Sequence, residues 1–309
     1  NLINEYSNTK IWWKGIIQKI YVYLAVSKFF RAFFGSKLIE MSDSFGEFLV
    51  LGGNHRLRLF TKDLSFSVLL LKERICYIEN DIFIRTNQVL SYAPVVLERG
   101  NDWFKEEYFA GKPLNRLENH KEILYFQEKV IKQHLKELLL PTKKKKSKAE
   151  YASFVKNEIN LIINNSSLQN IAVKSSIIVS LLEVLLKKIT INTISASWSH
   201  GDFQQANILV KENDYKVIDW ESSNERFYLY DIFVLLGNIR TNISLKESIE
   251  RFKNKVSFFF DLKITPDIVT LLLIEELRFS VNEEYSENFY ISGIKTKQIC
   301  ESIQEYINE

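Results

Sequence analysis

The sequence predicts an α+β fold in which a small antiparallel sheet precedes a larger, mainly helical part. Three observations lead there. Short runs rich in β-formers crowd between Phe45 and Phe109, divided by turn residues. Beyond Gly111 apolar residues recur at helical spacing in one segment after another. A hairpin with polar side chains at its rim then interrupts those helices near residue 210. With 309 residues, 46% hydrophobic and 13% aromatic, the chain can bury a sizeable core, as two lobes or as one large domain.

Charge and cysteine content narrow the class. Basic residues number 41 against 38 acidic ones, a net charge of +3. That is too weak to imply a nucleic-acid partner, and no basic-aromatic stripe suggests one. Cys76 and Cys300 lie far apart and histidines number four, so neither zinc spacing nor a disulfide framework is present. The expectation is an intracellular, cytoplasmic protein. The sequence opens on Asn1 rather than Met, so a trimmed chain or a piece of a longer protein is expected.

Residues 1–44 form a basic, apolar extension. In 11–34 the cations Lys14, Lys19, Lys28 and Arg31 interrupt the apolar run, and its longest uncharged stretch, Ile20–Ser27, is far short of the roughly 20 residues of a membrane span. No small-residue cleavage site follows it, so a signal peptide fits poorly. Two readings remain: a helix packed on its own domain, or a basic amphipathic helix making peripheral contact with a membrane surface.

Residues 45–109 carry the sheet. Glu47–Leu51, Arg56–Phe60 and Ser65–Leu71 read as an antiparallel meander, with Gly52-Gly53-Asn54 in its first turn. Those glycines suit either an ordinary hairpin turn or a close approach of backbone amides to phosphate. Val95–Leu97 and Trp103–Phe109 add two strands around an Arg99–Asp102 turn.

Residues 110–309 are the helical part. His120–Leu139 places Ile123, Phe126, Val130, Ile131, Leu135 and Leu138 on one face. Pro141–Lys148 ends it with a run of lysines, expected to be a solvated, mobile loop; the sharper alternative is binding of an anionic substrate or acidic lipid. Tyr151–Ile163 and Ser175–Ile189 predict two more helices. After the hairpin, Asp231 opens an apolar helix, where a carboxylate favours the positive end. Further helices follow from 244 on, with Pro266 near a helix start and Ile268–Leu277 buried. Glu275, Glu276, Glu283 and Glu284 are expected as exposed helix carboxylates, with a face for a cationic substrate as the alternative.

The hairpin carries the chemistry. Strands at Ile208–Val210 and Lys216–Ile218 flank a Glu212–Asp214 turn, with Asp202 and Asn207 before the first strand and Asp219 after the second. Such a hairpin brings two acids and an amide to one rim. Those are hard oxygen ligands suited to Mg²⁺ shared with substrate phosphates, with one acid left to accept or orient a hydroxyl proton.

The pattern His200-Gly201-Asp202, Asn207-Ile208-Leu209-Val210 and Ile218-Asp219-Trp220-Glu221 resembles the aminoglycoside phosphotransferase and choline kinase group of small-molecule kinases. That resemblance implies a two-lobed protein-kinase-like fold binding MgATP between its lobes. It implies Asp202 as catalytic base or hydroxyl-orienting residue, Asn207 as a metal ligand and Asp219 as the principal Mg²⁺ ligand. His200 shares that catalytic loop, where it fits a bracing role better than that of a base; Glu221 either assists a second Mg²⁺ or stabilises the loop. An Asp at the place of Asp231 helps hold the loop.

For ATP, the resemblance implies a phosphate-contacting Lys72 paired with a glutamate on the next helix, with Glu79 the best candidate. The seven-residue gap is short for the family, so Glu73 remains an alternative partner, and Lys62, Arg56 and Arg58 remain alternative cations. A solvated strand-end lysine is the plain reading of Lys72. The run Glu106–Leu114 resembles the interlobe hinge, where backbone around Glu107 and Phe109 reads the adenine edge; Gly52 and Gly53 join the phosphate side. The implied activity is transfer of the γ-phosphoryl group of ATP to a hydroxyl of a small molecule: a sugar or glycan precursor, an amino alcohol such as choline or ethanolamine, or an aminoglycoside. Two rivals stand beside it, a nucleotide-binding pseudokinase and a membrane-surface module organised by residues 11–34.

Overall fold

The computed structural model describes residues 13, 16–17, 20, 48–52, 56–61, 66–70, 75–101, 103–165, 175–260, 262–286 and 294–308. The chain divides into two compact units, Asn1–Ile78 with Val95–Lys112, and Glu79–Pro94 with Pro113–Glu309. Glu79–Pro94 therefore clusters with the helical part, although it lies inside the stretch that composition assigns to the sheet.

The first unit holds a five-stranded antiparallel sheet in the order β1–β2–β3–β5–β4: β1 Phe48–Gly52, β2 Arg56–Thr61, β3 Phe66–Leu70, β4 Val96–Arg99 and β5 Trp103–Glu106. The predicted meander is present, with Val50 opposite Leu59 and Val68 opposite Phe104. Leu59, Trp103 and Phe104 are buried. In the N-terminal extension, Trp13, Ile16, Ile17 and Ile20 are helical and about half exposed. Among the described residues no helix is long and apolar enough to cross a membrane.

The chain passes into the second unit at the two-residue strand β6, Lys112–Pro113. Helix α1, Ile75–Asn87, belongs to this unit from Glu79 onward, and Asp81 and Arg85 form a buried ion pair one turn apart on it. Helix α2, His120–His134, starts at an Asn119 cap whose side chain accepts the Lys121 amide. Its apolar face puts Phe126, Val130 and Ile131 in the core. The predicted helix to residue 139 continues, but in a wider π turn over Leu135–Leu139, closed by Leu140 N–H to Leu135 O at 3.0 Å. Apolar periodicity does not separate the two windings.

The lysine run departs from expectation. Lys144–Ser147 is strand β7, paired antiparallel with β8, Thr193–Ser199, which pairs in turn with β11, Asn224–Phe227. Lys146 forms an ion pair with Glu225 and lies 4.2 Å from the centre of the Phe154 ring, while Lys143 lies 4.0 Å from that of Tyr228. The run is the outer strand of a three-stranded sheet, and lysine is a residue that suits an unpaired edge.

The remaining helices match the sequence closely: α3 Lys148–Asn165, α4 Ser175–Lys188, α5 Tyr230–Gly237, α6 Leu245–Phe259, α7 Pro266–Ser286 and α8 Ile294–Asn308. Ser244 caps α6 by accepting the Glu247 amide, and Pro266 occupies the first position of α7, where its missing N–H costs nothing. Leu271, Leu272, Ile274 and Leu277 of α7 join α5 and Val155 of α3 in one core.

Candidate functional site

Strand β8 ends at Ser199, and the chain turns through His200-Gly201-Asp202 before entering the β9–β10 hairpin, Ile208–Lys211 and Asp214–Val217. Asp231, at the start of α5, anchors this turn. Its carboxylate accepts Ser199 Oγ at 2.6 Å, the amides of His200 at 2.7 Å and Gly201 at 3.0 Å, and lies 2.8 Å from His134 Nε2. The expected loop-holding Asp does that work.

Gly201 has φ +84°, and a Cβ there would sit 2.2 Å from Ser222 O, so the turn needs glycine for both conformation and space. His200 is wholly buried. Its Nε2 lies 3.0 Å from Ile218 O and its Nδ1 accepts the Asp202 amide at 3.3 Å. A carbonyl only accepts, so the proton is on Nε2 and the ring is neutral. Burial pushes the imidazole pKa below its usual value. Both ring nitrogens are committed to backbone, which makes His200 a brace. Phe203 stacks on His134 at 4.1 Å between centroids, and Trp220 packs 4.6 Å from His200, closing the loop onto α2.

Asp202 and Asn207 meet directly. Asn207 Nδ2 donates to Asp202 O at 2.9 Å and to Asp202 Oδ2 at 3.0 Å. Gln204 Nε2 also donates to Oδ2, at 2.7 Å. The Ile218 amide donates to Asn207 O at 2.9 Å, which ties the end of β10 to the start of β9 one residue before Asp219. Asp219 itself is left-handed, at φ 74° and ψ 54°. Aspartate is among the few side-chain-bearing residues that tolerate that conformation.

The donor set fits magnesium. With Nδ2 of Asn207 spent on Asp202, its Oδ1 is the remaining atom able to coordinate, and Asp219, one residue beyond the Ile218–Asn207 backbone bond, is the acid that could join it. Among the described residues no three His, Cys, Asp or Glu side chains gather as a metal site. Two protein oxygens with substrate phosphates and water completing the shell is the habit of Mg²⁺ rather than of a closed structural metal. Glu221 sits on the short 3₁₀ turn Trp220–Ser222 immediately after Asp219.

The residues expected to serve the nucleotide lie elsewhere in the chain. Gly52 ends β1, whereas Gly53 and Lys72 lie outside the described residues. Glu79 is on α1, within the second unit. Glu107 and Phe109 follow β5 in the first unit, where the Glu107 amide bonds to Val95 O and the Gly111 amide to Phe109 O, both at 2.9 Å.

Two expectations on α7 are overturned. Glu275 and Glu276 are buried rather than exposed, because each has a basic partner in the interior. Glu275 pairs with Arg226 at 3.4 Å and Arg278 at 3.0 Å and accepts Tyr151 OH; Glu276 pairs with Arg240 at 2.6 Å and accepts Tyr230 OH. Glu283 accepts Ser222 Oγ at 3.0 Å. Sequence reasoning also missed Arg240, whose Nε donates to Asp202 Oδ1 at 3.0 Å. It lies in a short polar turn, and only a contact 38 residues distant reveals it.

No protein-family model and no curated protein sequence matches the chain. Solved structures do. A choline kinase from Cryptosporidium parvum Iowa II is 13% identical over 85% of this chain and 88% of its own, with a TM-score of 0.52. A thermostable mutant of aminoglycoside phosphotransferase APH(4)-Ia is 13% identical over 85% and 96%, with a TM-score of 0.57. The streptomycin–ATP ternary complex of APH(2")-IIa is 13% identical over 85% and 92%, with a TM-score of 0.50. At such identities the likeness is one of backbone: this chain has the kinase-like fold of choline kinase and the aminoglycoside phosphotransferases.

Proposed function

We propose that the protein is an ATP- and Mg²⁺-dependent phosphotransferase acting on a hydroxyl of a small molecule. The observation that carries this reading is the Asp202–Asn207 clasp, tied by the Ile218–Asn207 backbone bond to the strand end that leads into Asp219. The acceptor oxygen attacks the γ-phosphorus, the bond to the bridging oxygen of ADP breaks, and the hydroxyl proton passes to the Asp202 carboxylate. Asn207 and Asp219 would hold Mg²⁺, which neutralises charge on the phosphates when bound. Asp202 orients the acceptor hydroxyl, His200 and Asp231 fix the turn that carries it, and Lys72, Glu79, Gly52, Gly53, Glu107 and Phe109 serve the nucleotide. The near-neutral charge and the basic, apolar N-terminal segment favour a metabolic or glycan-pathway acceptor over an antibiotic.

The test is a screen of hydroxylated small molecules for ATP-dependent phosphorylation, paired with thermal shifts in MgATP. Asp202→Asn should lose about 10²-fold or more in rate and keep MgATP binding. Normal turnover by that variant would overturn the assignment.

We propose also that residues 11–34 contact a membrane surface. Trp13, Ile16, Ile17 and Ile20 recur at helical spacing and stay about half exposed. Between Ser7 and Ile39 the sequence carries six Lys and Arg and no Asp or Glu, which complements anionic lipid. The full chain should sediment with vesicles rich in phosphatidylglycerol at low salt, and Ile17→Glu should weaken this; equal recovery with and without vesicles would refute the contact.

A further inference from the structure

Asp202 is held from two sides. On Oδ2 it receives the neutral amides of Gln204 and Asn207; on Oδ1 it receives a guanidinium. That guanidinium, of Arg240, is itself fully directed. Its Nη1 donates to Glu276 Oε1 at 2.6 Å, its Nη2 to Tyr230 OH at 2.9 Å, and it lies 3.9 Å from the centre of the Phe279 ring. The side chain of Arg240 is 14% exposed and that of Asp202 19%, so this pair is better shielded from water than an ordinary surface ion pair.

The backbone places Arg240 there deliberately. Helix α5 stops at Asn238, a left-handed C-cap with φ 58° and ψ 36°, and the turn it begins carries Arg240 back over Tyr230. Asparagine is a usual non-glycine choice for that cap. Three bonds in three directions plus a stacked ring suit a planar fork and not an ammonium.

We propose that Arg240 is a positioning residue for phosphoryl transfer, an inference that rests on the reading of Asp202 given above. A carboxylate beside an incoming γ-phosphate meets like charge, and a free Asp202 would turn away from it. Arg240 binds the oxygen that Asn207 and Gln204 leave, holds the carboxylate plane, and offsets part of that repulsion. Tyr230 and Glu276 aim the guanidinium, and Phe279 supports its face.

The experiment uses the full chain and MgATP with water as acceptor, followed as Mg²⁺-dependent phosphate release. Arg240→Ala should lower kcat by about 10- to 100-fold, the scale of a misplaced catalytic group, with KM for MgATP within about twofold of wild type. Added guanidinium at millimolar concentration should restore rate to Arg240→Ala and none to Asp202→Asn. If Arg240→Ala does not fold, Arg240→Lys and Glu276→Gln carry the same comparison, each lowering kcat with KM held. Wild-type kcat in the Arg240 variants, with Asp202→Asn inactive, overturns the inference alone. Indifference of the rate to Asp202→Asn overturns the phosphotransfer reading and this inference with it.

Discussion

His134 and Asp231, 97 residues apart, meet at 2.8 Å between Nε2 and Oδ2, with both side chains wholly buried. The contact joins the end of α2 to the start of α5 and passes through Asp231 to the backbone of the His200–Gly201 turn. A buried carboxylate with four partners cannot be neutralised cheaply. Asp231→Asn should cost about 3 kcal/mol or more of unfolding free energy, because the four partners lose the negative charge they bind and one donor is left facing another. Urea unfolding measures it, and a loss within about 1 kcal/mol would show the contact to be incidental.

Acid should act through the same group. Burial alone would push the Asp231 carboxyl upward; the hydrogen bond and charge of His134, with the hydrogen bond from Ser199, outweigh it and bring the pKa to about 2. The folded value lies below the ordinary 3.8, so the unfolded chain binds the proton more readily. The stabilisation is therefore present above about pH 4 and is lost as pH falls towards 2, amounting to about 2 kcal/mol. Unfolding free energy measured across that window should fall in wild type and fall less in Asp231→Asn.

Gly201→Ala should cripple the loop. At φ +84° a side chain is strained by about 1–2 kcal/mol, and its Cβ would also press to 2.2 Å from Ser222 O. The expected outcome is a lowered melting temperature together with loss of the phosphoryl transfer proposed above. An alanine variant with native melting and native turnover would contradict the geometry.

The lysine strand makes a finer prediction. Lys146→Ala removes an ion pair with Glu225 and a stacked contact on Phe154, and should cost about 1 kcal/mol. Lys145→Ala, at an exposed position of the same strand, should change stability by less than about 0.5 kcal/mol. Equal small effects at both positions would mean that the run behaves as solvated loop.

What was legible in the sequence follows the range of the forces involved. The β9–β10 hairpin, the Asp231 anchor, the α6 cap and the Pro266 start are local patterns, and local chemistry places them. Lys144–Ser147 is a strand only because β8 lies alongside, and four successive polar residues announce no such neighbour. The burial of Glu275 and Glu276 escapes sequence patterning for a related reason. Periodicity reports where apolar residues point, and says nothing of a carboxylate taken inward by Arg226, Arg278 or Arg240. Arg240 itself stands in a polar turn with no spacing signature, so the motif around Asp202 does not reveal the partner that holds it.

Helix α7 reaches the segments around the candidate site three times along its length: Glu275 at the Phe227 amide (2.8 Å), Glu276 through Arg240 to Asp202, and Glu283 at Ser222. It works as a jig against which separately encoded parts are squared up. A slip of this one helix by a single turn would put all three out of true at once.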